Sequence, residues 1–163
     1  EGYQMVNNPF FKKLPLIGLK GEILIIKVLS LKSKSILKGP IFIAPIGDDL
    51  YWAGATFERN DKTLSCTSKG RSWVEERIRK MISSEYEVIE HITQIRPTVT
   101  DRRPLIGSHP DHLNVHLLNG FGARGVLSAP LLSKWLLDHI EGISELPNAV
   151  NLSRFESYFR QFD

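Results

Sequence analysis

A glycine-rich segment in the second half of the chain has the spacing of a ligand-binding turn. Gly120, Gly122 and Gly125 form the pattern G-x-G-x-x-G between an apolar run, Val115–Leu118, and a helical pattern, Val126–Ile140. Glycines at such a turn let a ligand approach the free N–H groups that begin a helix. The motif alone is about equally compatible with a ligand site and with a turn required by packing. No second βα unit, which a pyrophosphate site needs, follows it.

An arginine followed by a proline closes an apolar run at Arg96. Arginine presents a planar fork of donors that holds a carboxylate at two points. Proline keeps the residue before it extended, so Arg96 is well placed to point into a cleft. These residues alone favour an ordinary ion pair, between Arg96 and Asp101 or a glutamate, over a ligand site.

Two further sets of reactive side chains do not indicate a site. His109, His112 and His116, with Asp111, have a metal-like spacing, but they run from a loop into a short strand and need not converge. We therefore expect no metal. Cys66 has no basic partner near it in the sequence, so we do not expect a nucleophile. The chain contains no P-loop and no G-x-S-x-G elbow.

The elements ahead of Arg96 predict an α+β body. Apolar runs predict strands at Glu22–Val28, Pro40–Ala44 and Leu50–Ala55, the last two around a turn-forming cluster. Tyr86–Ile95 is predicted as a fourth strand that Arg96-Pro97 ends.

One helix is predicted between these strands, over residues 72–82. Ser72 and Glu75 have the spacing of a capping box, which marks a helix start. Val74, Ile78 and Ile82 then share one face.

After Arg96 the pattern becomes sparse. Thr98–His112 has turn chemistry and little periodicity. Beyond it, the apolar run Val115–Leu118 predicts one strand. Val126–Ile140 predicts one helix, with Gly142 as its C-cap. A single strand–loop–helix cannot make a nucleotide-binding domain, because its strand needs parallel neighbours. We therefore expect the rest of that sheet to precede residue 1. Aromatic residues in the tail predict a docking face: Phe155, Tyr158, Phe159 and Phe162.

The composition is ordinary for a globular domain, with 42% hydrophobic and 24% charged residues among 163. No run is long and apolar enough to predict a membrane span, and nothing resembles a signal peptide. One cysteine cannot form an internal disulfide, which favours a reducing compartment and a cytoplasmic location. The net charge of +3 reflects lysines near the front, which predict a solvated face more than a nucleic-acid site: Lys12, Lys13, Lys20, Lys27, Lys32, Lys34 and Lys38.

An ordered set of short motifs resembles the D-amino acid oxidase superfamily, in particular the glycine and sarcosine oxidases. The resemblance covers roughly residues 10–142. The motifs are Leu14-Pro15, Lys20-Gly21-Glu22, Pro45, Gly54-Ala55-Thr56, Arg96-Pro97-x-x-x-Asp101-x-x-Pro104-x-Ile106-Gly107 and Gly122-x-Arg124-Gly125-x-x-x-Ala129-Pro130.

The resemblance implies two interleaved parts and an FAD cofactor. Residues 1–97 would be a substrate-binding domain with a mixed, largely antiparallel sheet and flanking helices. Residues 98–142 would return to an incomplete Rossmann-like FAD domain, and residues 143–163 would form a carboxy-terminal tail. The family's amino-terminal G-x-G-x-x-G is not in this sequence. We therefore expect a carboxy-terminal part that alone binds FAD poorly and is inactive.

The same resemblance implies residue roles. Arg96 matches the arginine that binds the substrate carboxylate, Arg124 matches a second position near the pocket, and Phe42 and Phe57 match pocket walls. Phe42 lacks the hydroxyl of the tyrosine that some relatives carry. No residue is assigned as acid or base, since none is required if the amine binds neutral. The implied flavin contacts are Gly120, Gly122, Ala123, Arg124, Gly125 and Val126.

The function implied is oxidation of an amine or small amino acid by hydride transfer to flavin, with oxygen as the acceptor, although some relatives are dehydrogenases. One alternative is the flavin domain of a tRNA wobble-uridine modification enzyme, with tRNA as the partner. Another is a non-catalytic binding or assembly domain that keeps the fold. The partners expected otherwise are the small substrate and the amino-terminal FAD domain, and the chain could also self-associate.

Overall fold

The computed structural model describes residues 1–160, and these form an α+β fold with two compact units. The sheet unit comprises Lys20–Ile95, and the terminal unit comprises Glu1–Leu19 together with the chain from Arg96 onward. The predicted segment 1–97 therefore does not coincide with one compact unit, because residues 1–19 pack with the second half of the chain. Among residues 1–160, no helix combines the length and apolar character needed to cross a membrane.

A five-stranded sheet in the order β2-β3-β4-β1-β5 dominates the sheet unit. Its paired neighbours β1–β4, β2–β3 and β3–β4 are antiparallel. The strands are β1 Leu16–Lys27, β2 Leu37–Lys38, β3 Phe42–Gly47, β4 Leu50–Gly54 and β5 Glu87–Val99. The predicted, largely antiparallel sheet is thus confirmed.

One face of this sheet packs on helix α1, Ser68–Arg79. Ile43, Ala53 and Leu24 stand next to each other on three strands, and all three are fully buried with Val74 and Ile78 of the helix. Burial of large aliphatic side chains contributes about 1.5–3 kcal/mol each, so this layer holds the unit together. The predicted helical face is confirmed for both helix residues.

The start of α1 differs from the prediction. Thr67 is the N-cap, and its Oγ1 accepts a 2.9 Å hydrogen bond from the amide of Gly70. The capping box at Ser72 and Glu75 is wrong, because Ser72 lies inside the helix, one turn beyond its start. Ile82 lies beyond the end of the helix.

The predicted hairpin is confirmed. Asp48 and Asp49 between β3 and β4 both have left-handed backbones, with φ of 51° and 58°. Two consecutive left-handed residues match the twist of the flanking strands, and aspartate tolerates this conformation better than most residues.

The prediction that Arg96-Pro97 ends the fourth strand is wrong, since β5 continues to Val99. β5 is an edge strand of the sheet. A proline cannot donate to a ladder, but on an edge strand it leaves no partner unsatisfied.

The terminal unit contains a second, two-stranded sheet and helix α2. β6, Leu105–Ser108, pairs antiparallel with β7, His116–Asn119, and α2 spans Gly125–Ile140. β7 and α2 confirm their predictions, and Gly142 follows α2 with φ of 69°. β6 lies in the stretch predicted as irregular; its four residues are too few to show an alternating pattern.

Short helices complete the terminal unit: 3₁₀ helices at Gly2–Asn7 and Leu152–Phe155, and α3 at Glu156–Arg160. Phe159 of the predicted aromatic face is buried with Phe11 and Met5, so it belongs to the core of this unit. Phe162 lies outside the described residues.

Candidate functional site

The loop between β7 and α2 is fixed by its glycines. Gly120 is buried with φ of 75°, and a Cβ there would lie 2.5 Å from Cγ2 of Val99. Gly122 has φ of 56°, and its amide donates a 2.8 Å hydrogen bond to the carbonyl of Pro97. Packing against the end of β5 therefore explains these two glycines, and the amide of Gly122 is already in use.

The first turn of α2 is open. Its N-cap, Arg124, is exposed and makes no side-chain cap, and the first amide that bonds back is that of Ser128, to the carbonyl of Arg124. In residues 1–160, the amides of Gly125, Val126 and Leu127 have no hydrogen-bond partner. Such a helix end attracts negative charge. The side chains of Val126 and Leu127 are 98% and 84% exposed.

Backbone hydrogen bonds bring this loop next to the strand residues that directly follow Arg96. Thr98 forms an antiparallel bridge with Phe121, one residue past the Pro97–Gly122 bond. Arg96 is half-buried, and burial lowers the pKa of its guanidinium. The sequence motifs in which Arg96 and the glycines lie are therefore neighbours in one unit.

Asp101, which the sequence suggested as a partner of Arg96, pairs with another arginine. Its Oδ2 accepts a 2.8 Å hydrogen bond from Nε of Arg154, and its Oδ1 accepts from the amide of Arg103. Burial raises the pKa of Asp101, but these hydrogen bonds outweigh it and hold the pKa below its ordinary value.

The two predicted wall residues, Phe42 and Phe57, lie in the sheet unit. Phe42 alternates with the core residue Ile43, so it faces away from α1, and it is 46% exposed. Phe57 follows β4 and is 59% exposed, with the guanidinium of Arg59 5.7 Å from its ring centre. Both rings present apolar surface outside the core.

Three residues that the sequence did not bring together form a cluster in the sheet unit. Ligand atoms of Glu22, Cys66 and His91 all lie within 4.8 Å of one another. Burial raises the pKa of the Cys66 thiol, and the charge of Glu22 adds to this, so the pKa gives no support to a nucleophilic role. Sequence gave no signal for this set because its members are 44 and 25 residues apart, on different elements.

In the described part of the chain, residues 1–160, the histidines with metal-like spacing do not form a group that could hold a metal ion, although His109 and His116 line the same cavity. The rings of His109 and His112 lie 4.8 Å apart, whereas His116 Nδ1 is 2.9 Å from Oγ of Ser108. Ser108 and His116, with His139, line a cavity of about 460 Å³ in the terminal unit.

Comparison with known proteins identifies the family. The family model described as FAD dependent oxidoreductase matches residues 3–139, and the chain belongs to this family. The predicted D-amino acid oxidase resemblance is thus confirmed, and FAD is the family's cofactor.

Individual relatives agree with this family. The tRNA 5-methylaminomethyl-2-thiouridine biosynthesis bifunctional protein of Marinobacter nauticus is 29% identical over 63% of this chain and 18% of its own length. Glycine oxidase from Geobacillus kaustophilus has a TM-score of 0.73 and 21% identity, over 87% of this chain and 39% of that one. Iminodiacetate oxidase from a Chelativorans species has the same TM-score and identity, over 87% and 40%. The chain spans less than half the length of each of these proteins.

Proposed function

We propose that this chain forms part of an FAD-dependent oxidoreductase that oxidises an amine or small amino acid. The observation that carries the proposal is the open first turn of α2 beside the strand of Arg96. It combines a site for negative charge with a type of side chain that is suited to binding a carboxylate. Bound FAD would accept the hydride from the carbon that bears the amine.

The open amides are suited to the cofactor's electron-rich edge. Free N–H groups at a helix N-terminus stabilise negative charge that develops during a reaction. We propose that Gly125 and Val126 contact the cofactor through these amides and that Leu127 offers a third amide. Ala123 and Arg124 lie directly before them in the chain. Gly120 and Gly122 act by shaping the loop, since packing and the bond to Pro97 already occupy them.

Arg96 is proposed to bind the substrate carboxylate. Its two parallel donors would orient an amino acid with the carbon that bears the amine toward the flavin. Arg124 is proposed as a second positive charge near the substrate, and Phe42 and Phe57 as apolar contacts for it. No side chain is assigned as a general base.

The same proposal covers the domain roles. Residues 1–97 would contribute mainly to substrate binding and residues 98–142 to the FAD domain, of which β7, the glycine loop and α2 would be one strand–loop–helix. The remaining FAD contacts, including those to the pyrophosphate, would come from the part of the relatives' length that this chain does not span.

The direct test uses the full-length protein. We expect a flavin absorption spectrum, bleaching by small amino acids or N-methyl amines without oxygen, and hydrogen peroxide when oxygen is admitted. Bleaching without peroxide, with turnover restored by a dye acceptor, would identify a dehydrogenase. A protein without flavin absorbance would contradict the proposal and support a non-catalytic binding or assembly domain.

A second candidate substrate, tRNA, is favoured by the similarity to the Marinobacter protein, which is named for the biosynthesis of 5-methylaminomethyl-2-thiouridine in tRNA. Lys27, Lys34 and Lys38 of the sheet unit are exposed and form no ion pair within residues 1–160. Lys20 is fully buried and holds Asp61, so it is not available to RNA.

RNA binding depends steeply on salt because phosphate contacts release counterions. We expect replacement of Lys27, Lys34 and Lys38 by glutamine to reduce both tRNA affinity and its salt dependence. Absence of tRNA binding by the full-length protein at low salt would remove this candidate and leave amine oxidation intact.

A further inference from the structure

The cluster of Glu22, Cys66 and His91 contains a buried carboxylate that is held in one orientation. The Glu22 side chain is only 5% exposed. Thr67 donates to it twice, from its amide to Oε2 and from its hydroxyl to Oε1, each at 2.8 Å. Each carboxylate oxygen has a second lone pair, so these bonds leave it able to bind a cation.

His91 contributes a ring nitrogen that lacks a hydrogen bond. Its Nε2 lies 2.9 Å from Oε2 of Glu22, an ion pair if the imidazole is protonated, but the two atoms form no hydrogen bond. In residues 1–160, this nitrogen and Oγ1 of Thr93 are the buried side-chain polar atoms without a hydrogen-bond partner. A buried polar atom without a partner requires an explanation.

Cys66 completes the set from the solvent side. Its residue is exposed, and its Sγ donates a 3.1 Å hydrogen bond to the carbonyl of His91. This bond keeps the thiol near the other two side chains, on a residue that is itself exposed to solvent.

We propose that Glu22, Cys66 and His91 bind a Zn²⁺-class cation. One sulfur, one imidazole nitrogen and one carboxylate oxygen are ligands that zinc accepts, whereas Ca²⁺ and Mg²⁺ prefer oxygen alone. Ligand atoms around a tetrahedral zinc ion lie about 3.3–3.6 Å apart. The observed separations, all within 4.8 Å, reach this arrangement by small side-chain shifts.

The charges around the cluster fit one divalent cation. Binding breaks the S–H bond of Cys66, the sulfur keeps the electron pair for the metal, and the proton leaves to solvent. The nearby cation Lys20 is paired with Asp61 and also donates to the carbonyl of Ser65, so its charge is partly offset. Water takes the fourth position, on the exposed side, and Thr67 orients the carboxylate ligand.

The test measures zinc at Cys66 in the full-length protein, with any affinity tag removed and metals stripped by a chelator. Alkylation of Cys66 by iodoacetamide is followed by peptide mass spectrometry, and bound metal by equilibrium dialysis with elemental analysis. We expect micromolar Zn²⁺ to slow alkylation at least tenfold, chelator to restore it, and Mg²⁺ to have no effect.

Variants assign the ligands. Cys66→Ser and His91→Gln should each weaken zinc binding at least tenfold, whereas His112→Gln, an exposed histidine outside the cluster, should leave it unchanged. Circular dichroism checks that His91→Gln folds, and Cys66→Ser on the surface provides the second variant. Unprotected Cys66 in the presence of zinc, or equal zinc binding by both variants and the parent, would overturn the proposal. Loss of amine oxidation would not, since flavin and zinc are measured separately.

Discussion

The amide of Gly122 donates a hydrogen bond of 2.8 Å to the carbonyl of Pro97. This bond fixes the loop that begins α2 to the strand residue directly after Arg96. The predicted carboxylate-binding arginine and the open amides of the helix are thus held by a shared piece of backbone.

Arg96→Ala tests the role of the arginine. If Arg96 binds a carboxylate, the variant loses charge-assisted hydrogen bonds, and kcat/KM for amino acids should fall roughly 10- to 150-fold. Turnover of N-methyl amines without a carboxylate should change little. Steady-state kinetics of the full-length protein, with flavin content measured by absorbance, make the comparison.

Arg103→Ala is the matched control. Arg103 is exposed, and Arg154 bonds to its backbone carbonyl, which the substitution keeps. It should behave like the parent. An equal loss for both substrate types in Arg96→Ala would indicate a structural role and remove the carboxylate assignment.

Gly120→Ala tests whether the glycine loop is required by packing. An added Cβ would approach Val99 to 2.5 Å and would sit on a left-handed backbone. We expect a loss of about 2–5 kcal/mol in the free energy of local unfolding. Hydrogen exchange of peptides from β6 and β7 measures this loss.

Gly142→Ala separates the cost of the left-handed backbone from the cost of the steric contact. Gly142 has a similar left-handed φ of 69° but nothing within 4 Å of its added Cβ. Its cost should be only about 1–2 kcal/mol. Equal costs for the two variants would show that steric contact with Val99 is not what selects glycine at position 120.

Thr67→Val tests the observed start of α1. The variant removes the acceptor for the amide of Gly70 and the hydroxyl donor to buried Glu22. We expect the first turn of α1 to lose about 2–4 kcal/mol of protection against hydrogen exchange. Ser72→Ala, at the cap position predicted from sequence, should stay within about 0.5 kcal/mol of the parent. The reverse ranking would contradict the structure.

These positions show which parts of the fold could be predicted. The hairpin at Asp48 and Asp49 and helix α2 follow from local turn chemistry and periodicity, which a sequence displays directly. The cap at Thr67 was missed because Gly70, its partner in the first turn, is not the glutamate or glutamine of a capping box, whereas Ser72 and Glu75 have that full pattern. The further bond from Thr67 to Glu22, 45 residues away, has no local signal. Local patterns do not report which distant side chain will stand beside a residue.

The candidate site could likewise be predicted only in part from the sequence. The glycine motif and Arg96 were visible in sequence, but their adjacency depends on the Pro97–Gly122 bond, which joins residues 25 positions apart. The cluster around Cys66 had no local signal at all. Its members come from β1, the loop before α1, and β5, and only the folded sheet unit brings them together.

His109 should make stability depend on pH. Its side chain is buried among aromatic rings, including Phe11 and Phe159, and its Nδ1 accepts a hydrogen bond from the amide of Asp111 at 3.1 Å. Burial, and secondly the charge of His112, lower the pKa of His109 below its ordinary value of 6.5. The unfolded chain therefore takes up this proton at higher pH than the folded chain does.

The stability that neutral His109 contributes is consequently complete above pH 6.5 and is lost as pH falls from there toward the lowered pKa. For one group the slope cannot exceed about 1.4 kcal/mol per pH unit. Urea unfolding between pH 7.5 and 5, compared with His109→Gln, isolates the effect, because glutamine keeps a polar side chain that does not titrate. We expect the parent to lose stability relative to the variant over that interval. A constant difference at every pH would show that His109 titrates alike in the folded and unfolded chain.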